Sequence, residues 1–310
     1  MLRHLGFVEL PVHAGAGSFD HAAVHGPTGR LYVAHTANDA VDVIDLPGRR
    51  YLGSIAGLPA VAGALVAEDL VFTSNRGENT VGIFTAADDP RVEKLAVGIR
   101  PNGLAYDPGR GRLLVAHVGD PAIAGSCTVS VIDVPQRRRI ADLPVPGRTR
   151  WAVFDPRADA FHVNIADPPR IIVVDAGDPV AVRRAVDIPW AGPHGLDIDV
   201  AGRRLFCACD AATLVEVDAD TGDVRGVERI AGVPDVVFFN AELQRLYVAV
   251  GDPGVIEVFD TSPRRRHETV RTEAGAHTLA FDPPRNLVCA FLPATHRAAV
   301  YMDEAAPPHS

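Results

Sequence analysis

The sequence predicts an all-β protein folded as a seven-bladed β-propeller of four-stranded antiparallel blades. Three observations support this fold class. A unit of four short strands recurs along the 310 residues, its copies start 40 to 48 residues apart, and the two ends of the chain supply complementary strands. A period of about 40–50 residues is typical of propeller blades. The 28 glycines and 25 prolines suit a chain with many tight turns.

The clearest copy of the unit lies near residues 100–145. An apolar innermost strand, Pro101-Asn-Gly-Leu-Ala-Tyr-Asp, is followed by a Pro/Gly turn and by a second strand, Arg112-Leu-Leu-Val-Ala-His. A third strand, Thr128-Val-Ser-Val-Ile-Asp, and an outer strand beginning at Arg139 complete the unit. The second strand recurs seven times, at residues 30–35, 70–75, 112–117, 160–164, 204–209, 245–250 and 286–291. Short strands at such regular spacing predict repeated four-stranded sheets.

The chain ends predict how the ring closes. The last third strand ends near Met302, and residues 303–310 form a tail too short for an outer strand. Residues 5–12, Leu-Gly-Phe-Val-Glu-Leu-Pro-Val, resemble the outer strand that starts at Arg139. We therefore expect residues 5–12 to complete blade 7, so that 1–310 form one propeller domain without an exposed sheet edge. Two stacked sandwiches are the alternative, but they leave the matching ends unexplained.

The repeat resembles a known family. Arg30-Leu-Tyr-Val-Ala-His, the later segment Asn38-Asp-Ala-Val-Asp-Val-Ile-Asp, and Pro101-Asn-Gly-Leu-Ala-Tyr-Asp-Pro are similar to the YVTN-type seven-bladed propeller repeat. The resemblance covers nearly the whole chain and implies the propeller fold. It leaves the activity open, because this scaffold carries lyases, hydrolases, redox proteins and noncatalytic binding platforms.

Charge and composition narrow the classes of partner. The formal net charge is −9, which gives no global attraction for nucleic acid or for an anionic membrane. The N-terminal residues lack the pattern of a secretory signal, and no apolar run is long enough to span a bilayer. We therefore expect a cytoplasmic protein whose four cysteines are thiols.

The first residues of the innermost strands should surround the channel as an inner ring. Its members are, in blade order, His21, Ala62, Asn102, Arg150, His194, Asp235 and His277. Blades 5, 6, 7 and 1 are neighbours, so three histidines and one aspartate should converge. Such donors suit a divalent transition metal, with Zn, Fe, Mn, Ni and Cu all chemically possible. The competing interpretation is a set of polar side chains that bind channel water.

The ends of the second strands should add an outer ring around the same mouth. There we expect His35 and His117 to move protons, although each taken alone is also typical of a solvated rim histidine. Arg150 lies across the channel from the predicted metal ligands and should hold an anionic group of the substrate. Asn102, Arg148 and Cys209 are further predicted substrate contacts.

These residues lead to three functional hypotheses. The first is a metal-dependent enzyme, a hydrolase or a lyase, that acts on a small polar or anionic substrate at the channel mouth. The second is an iron-dependent oxygenase that uses the same ligands, since two histidines and an aspartate can form a facial triad. The third is a noncatalytic propeller that binds a small ligand or a protein on this face.

Overall fold

The computed structural model describes residues 1–180 and 182–304, and nearly all regular structure in them is β-strand. The strands are, in chain order, β1 (Leu2–Glu9), β2 (Phe19–His25), β3 (Arg30–His35), β4 (Ala40–Asp45), β5 (Arg50–Ala56), β6 (Val61–Ala67), β7 (Leu70–Asn75), β8 (Thr80–Thr85), β9 (Glu93–Ala96), β10 (Pro101–Asp107), β11 (Arg112–His117), β12 (Thr128–Asp133), β13 (Arg138–Pro144), β14 (Thr149–Asp155), β15 (Ala160–Ile165), β16 (Arg170–Asp175), β17 (Val182–Asp187), β18 (Pro193–Asp199), β19 (Arg204–Cys209), β20 (Thr213–Asp218), β21 (Val224–Arg229), β22 (Pro234–Asn240), β23 (Arg245–Val250), β24 (Val255–Thr261), β25 (Arg264–Arg271), β26 (Leu279–Asp282), β27 (Leu287–Leu292) and β28 (Arg297–Asp303). Two single turns of 3₁₀ helix, Thr36–Asn38 and Pro283–Arg285, link neighbouring strands. Within the described ranges no helix is long and apolar enough to cross a membrane.

The strands pair into seven antiparallel sheets of four strands each. Blades 1 to 6 are β2–β5, β6–β9, β10–β13, β14–β17, β18–β21 and β22–β25, and each has its strands side by side in chain order. Blade 7 has the order β1-β28-β27-β26. The predicted fold class, a seven-bladed propeller, is therefore confirmed.

The N-terminal strand supplies the outer strand of blade 7. Strand β1 runs antiparallel to β28, with Leu2 opposite Asp303 and Glu9 opposite Arg297. The closing strand was predicted at residues 5–12, and the structure has it three residues earlier, at Leu2–Glu9. Pro11 has no N–H group to donate, so the ladder ends before it. Of the predicted tail, residues 305–310 lie outside the described residues.

Asp303, at the end of β28, ties this closure to blade 6. Its buried carboxylate accepts a hydrogen bond from the Tyr247 hydroxyl at 2.7 Å and contacts the Arg245 guanidinium. It also lies 3.2 Å from the amino group of Met1. One carboxylate therefore connects three separate strands at the point where the ring is joined.

The core lies between blades rather than within one sheet. Tyr32 of blade 1, for example, packs with Val61 and Val71 of blade 2, and all three are buried. Each blade has two apolar faces that it must cover, and it does so against its two neighbours.

The innermost strands of blades 1 to 6 share an irregularity near the channel mouth. In each, the pairing register shifts at the ring position, as between Pro193 and Gly195 in β18. A β-bulge turns a side chain out of the regular alternation, so the ring residues can face the channel. Glycine follows the ring residue in three blades, and a Cβ at Gly103 would collide with the Arg150 carbonyl of the next blade.

Candidate functional site

One mouth of the channel holds a polar cavity of about 370 Å³. Six of the seven predicted inner-ring side chains line it, and Ala62 does not. The lining residues are Asp20, His21, Arg76, Asn102, Arg148, Arg150, His194, Val233, Pro234, Asp235, Gly251, Asp252 and His277. The cavity thus brings together side chains that are up to 257 positions apart in the sequence, Asp20 and His277.

Asp235 lies between two imidazoles. Its Oδ1 is 2.9 Å from His194 Nε2, and its Oδ2 is 2.8 Å from His277 Nδ1. Burial alone would raise the pKa of this carboxyl, but the adjacent His194 and His277 hold the pKa of Asp235 well below its usual range. Asp235 is therefore a carboxylate that fixes both rings.

His194 is held by carboxylates on both sides. Its Nδ1 lies 2.7 Å from Asp210 Oδ1, while its Nε2 faces Asp235. Burial lowers the pKa of His194, but Asp235 and Asp210 outweigh it and raise that pKa to about 8. Because each carboxylate needs a hydrogen-bond donor, both ring nitrogens carry a proton and His194 is an imidazolium near neutral pH.

Arg150 places a second cation in contact with His194. Its Nη1 is 3.0 Å from His194 Nε2, and its Nη2 is 3.4 Å from Asp210 Oδ2. Arginine stays charged in proteins, and burial together with Arg148 lowers the pKa of Arg150. The cavity wall therefore contains two cations in direct contact, next to the exposed Arg148.

The opposite wall is built around Asp20. Its carboxylate lies 3.3 Å from Arg76 Nη1 and 3.4 Å from His21 Nε2, and Arg76 also donates to the Asn102 side chain. Burial lowers the pKa of His21, so this ring is neutral. His21 stacks on the indole of Trp151, with ring centroids 4.2 Å apart.

His277 differs from His194 because only one side of its ring is held. Nδ1 contacts Asp235 and the Thr278 hydroxyl, and the side chain remains 34% exposed. Burial lowers the pKa of His277, but Asp235 outweighs it, so the pKa is raised. Nε2 has no hydrogen-bond partner among the residues that the structure describes. It is therefore available to a molecule in the cavity.

Three of the four predicted metal ligands, His194, Asp235 and His277, contact one another, and the fourth, His21, contacts Asp20 and Trp151 instead. Both nitrogens of His194 and both oxygens of Asp235 are engaged, and a guanidinium lies at 3.0 Å from His194 Nε2. Within residues 1–180 and 182–304, no group of three or more His, Cys, Asp or Glu side chains is arranged to hold a metal ion. As arranged, His21, His194, Asp235 and His277 do not fit a metal, and the metal site stays a prediction.

The predicted outer ring does not reach the cavity. His35 is fully buried between Asp42 and His13, each 2.7 Å away. His117 is fully buried against the Thr128 hydroxyl, and burial lowers its pKa to about 3. Their predicted proton transfer at the cavity does not fit this placement, because both rings are buried and neither lines the cavity.

Cys209 is also fully buried, and it faces Cys207 at an Sγ–Sγ distance of 3.9 Å. Its predicted contact with a substrate does not fit this position. Arg148, Arg150 and Asn102, by contrast, line the cavity, and their contact with a substrate stays a prediction.

Two charged residues of the site that the sequence reasoning missed lie one position beyond the predicted outer ring. Arg76, which lines the cavity, follows Asn75 at the end of β7, and Asp210, which contacts His194, follows Cys209 at the end of β19. Side chains alternate across a strand, so a shift of one residue exchanges the buried face for the cavity face. Charged residues directly after an apolar strand are the signal that would have identified them.

Asn164 has a structural role that its sequence context did not reveal. Its side-chain amide donates to the carbonyl groups of His194 and Gly195 at 2.9 and 3.1 Å. It therefore holds the bulge of the neighbouring blade and positions His194 for its contacts with Asp210 and Asp235.

Comparisons with known proteins bear on the architecture. No family model matches the chain, and no curated protein matches it. Among solved structures, hydrazine synthase of Kuenenia stuttgartiensis is similar, with a TM-score of 0.82, 13% sequence identity, and coverage of 96% of this chain and 98% of that chain. The likeness is one of fold. The YVTN-type resemblance of the repeats remains a prediction.

Proposed function

We propose that the channel-mouth cavity binds a small anionic molecule and that His277 transfers a proton to or from it. The observation that carries the proposal is the contact between Arg150 and the His194 imidazolium at 3.0 Å. Asp210 and Asp235 compensate these two cations in the empty site, whereas the exposed Arg148 beside them makes no ion pair among the described residues. A carboxylate or phosphate placed between Arg150 and Arg148 supplies that missing negative charge and accepts charge-assisted hydrogen bonds.

His277 and Asp235 supply the proposed proton transfer. The carboxylate at 2.8 Å orients the ring through Nδ1, so that Nε2 exchanges protons with a ligand in the cavity. When Nε2 accepts a proton, Asp235 stabilises the resulting imidazolium. Because Asp235 raises the pKa of His277, a larger fraction of the ring is protonated at neutral pH than in a free histidine and can donate a proton to the ligand.

This arrangement supports a hydrolase or a lyase. In hydrolysis His277 takes the proton of a water whose oxygen bonds to the ester carbon or phosphorus; the bond to the leaving alkoxide breaks, and the imidazolium returns the proton to that alkoxide. In elimination His277 takes a proton from the carbon next to the anionic group, a double bond forms to the adjacent carbon, and the bond from that carbon to its hydroxyl leaving group breaks. The predicted metal dependence and the expected cytoplasmic location stay part of the hypothesis. The test is to measure the metal content of protein purified without a nickel column. A stoichiometric amount of metal that is lost in His194→Ala and His277→Ala would support a metal site.

Anion binding is tested by calorimetric titration with inorganic phosphate and with malonate at pH 7. We expect Arg150→Gln to weaken binding about tenfold, as for the loss of a charge-assisted contact of roughly 1.4 kcal/mol. The control is Arg229→Gln on the outer strand β21, whose exposed side chain is remote from the cavity. Binding should also weaken above pH 8, because His194 loses its charge near that pH. Unchanged affinity in Arg150→Gln would refute the proposal.

A noncatalytic anion-binding site is the second candidate, and the interlocked His194, Arg150 and Asp210 contacts favour it as much as they favour an enzyme. The two are separated by His277→Gln, which removes the proton-transferring group but leaves both arginines in place. Turnover is measured with a panel of small carboxylates and phosphate esters. If His277→Gln abolishes turnover but retains the affinity for anions, the result supports the enzyme. Anion binding without turnover in the unaltered protein supports the noncatalytic site.

A further inference from the structure

Most charged groups at the polar cavity are paired with a charge of opposite sign. Three carboxylates each contact a cation of a neighbouring blade. The pairs are Asp20 with Arg76 at 3.3 Å, Asp210 with Arg150 at 3.4 Å, and Asp235 with His194 at 2.9 Å. Opposite charges at such distances compensate each other. These six groups together therefore add no net charge to the cavity.

One cation and one anion remain outside these pairs. Arg148 and Asp252 both line the cavity and are exposed, and neither side chain makes an ion pair or a hydrogen bond among the described residues. The other ionisable lining residues are His21, which is neutral, and His277. When His277 is in its basic form, the cavity is neutral as a whole and carries one uncompensated charge of each sign.

The two unpaired charges lie at different ends of the site. Arg148 directly precedes β14 of blade 4. Asp252 lies two residues beyond β23 of blade 6, and the carbonyl of its neighbour Gly251 accepts a hydrogen bond of 2.7 Å from the backbone amide two residues before His277 in blade 7. A row of contacting side chains from Arg150 in blade 4 to His277 in blade 7 lies between them. A molecule along this row therefore meets a cation at one end and an anion at the other.

A ligand with one charge of each sign matches these ends better than a simple anion does. A bound carboxylate compensates Arg148, but it leaves Asp252 without a partner and gives the cavity a net negative charge. An ammonium group on the same molecule supplies the partner of Asp252 and keeps the cavity neutral. A second anionic group at that end would be repelled.

We propose that the polar cavity binds a small zwitterion, whose carboxylate or phosphate lies at Arg148 and Arg150 and whose ammonium group lies at Asp252. This inference rests on the proposed anion site and adds the second group by which the site recognises its ligand. The cavity of about 370 Å³ is at the lower end of the range for small-molecule sites, which suits a ligand of this size.

The probes are amino acids of increasing length, β-alanine, 4-aminobutyrate and 6-aminohexanoate. Each is compared with the carboxylate that lacks the amine, which is propionate, butyrate or hexanoate. Binding is followed at pH 7 by NMR titration of the His277 ring signals, which His277→Gln assigns. We expect at least one amino acid to bind about fivefold more tightly than its matched carboxylate, because its ammonium group forms an exposed ion pair with Asp252.

Variants at Asp252 test the second recognition group. Asp252→Asn should abolish the preference for the amine and still bind the carboxylates. Asp252→Lys should reverse the preference, so that glutarate, with a carboxylate in place of the amine, binds more tightly than 4-aminobutyrate. The matched control is Asp167→Asn, because Asp167 also precedes a proline two residues beyond the second strand of its blade but does not line the cavity. This control should keep the preference for the amine.

The outcomes separate this inference from the anion site. If the carboxylates bind but no amino acid binds more tightly than its matched carboxylate, or if the preference persists in Asp252→Asn, the inference is overturned and the anion site stands. If Arg150→Gln binds the carboxylates as tightly as the unaltered protein does, the anion site fails and this inference fails with it.

Discussion

Replacing Asp235 with asparagine tests the electrostatics of the channel mouth. The change removes the negative charge that lies 2.9 Å from His194 Nε2 and 2.8 Å from His277 Nδ1, while it keeps the size of the side chain. The pKa of His194 is about 8 in the folded protein, against 6.5 for an unperturbed histidine. A difference of that size corresponds to about 2 kcal/mol of folding free energy. The side chain is 13% exposed, so solvent screens this interaction only weakly.

The direction of the pH dependence follows from the raised pKa. Since the folded-state value lies above the unfolded one, the stabilisation is fully present below pH 6.5 and is lost as the pH rises through about 8. In Asp235→Asn, burial lowers the pKa of His194 and only Asp210 opposes it, so the value should fall to 6.5 or below. The free energy of unfolding of the variant should therefore fall further below that of the unaltered protein at pH 6 than at pH 9, by about 2 kcal/mol.

The assay combines urea denaturation at pH 6 and pH 9 with NMR titration of the histidine ring signals. Asp252→Asn is the control, because Asp252 lines the same cavity and has no contact with either imidazole among the described residues. A His194 pKa that stays near 8 in Asp235→Asn would refute the reasoning. So would a destabilisation that is equal at the two pH values.

Three further predictions concern the ring closure at Asp303, the bulge that Asn164 holds, and the accessibility of the cysteines. Asp303→Asn should lower the free energy of unfolding by about 2 kcal/mol, because buried Arg245 keeps only the more distant carboxylate of Asp260, 3.5 Å away. Glu304→Gln at the exposed neighbouring position should change the free energy of unfolding by less than about 0.5 kcal/mol, and urea denaturation measures both. Asn164→Ala should lower the NMR-measured pKa of His194, because the ring loses its alignment with Asp210 and Asp235, and an unchanged pKa would show that the bulge holds without the amide. In the native protein at pH 8 a disulfide reagent should modify Cys127 first, because Cys207, Cys209 and Cys289 are fully buried, and peptide mapping would reveal a different order.

The fold was predictable from the sequence because each blade repeats the same alternation of apolar strands and turn residues. Seven copies of one weak pattern constrain the architecture far more than any single copy does. The closing strand was placed three residues late, since similarity to other outer strands does not fix a register, whereas the missing N–H of Pro11 does.

The site was predictable in part. The inner ring follows from the repeat, so His194, Asp235 and His277 were correctly expected to lie side by side. The hydrogen bonds among these three side chains were not predictable, because those bonds also depend on Asp210 and Arg150. The role of Asp210 becomes visible only once the strand register is known. His35 and His117 were placed in the site for the same reason, since a shift of one residue along a strand exchanges its two faces.

The joining of β1 to β28 also has a consequence for the order of folding. The paired residues Leu2 and Asp303 are separated by almost the entire chain, and closing a flexible loop of that length costs about 5 kcal/mol of chain entropy. Blades 1 to 6 each pair strands that are close in sequence and need no such closure. We therefore expect the amides of β1, and those of β28 that bond to β1 rather than to β27, to gain protection last in a pulsed hydrogen-exchange refolding experiment, after the other blades have formed. During synthesis β1 would then remain unpaired until β28 emerges from the ribosome.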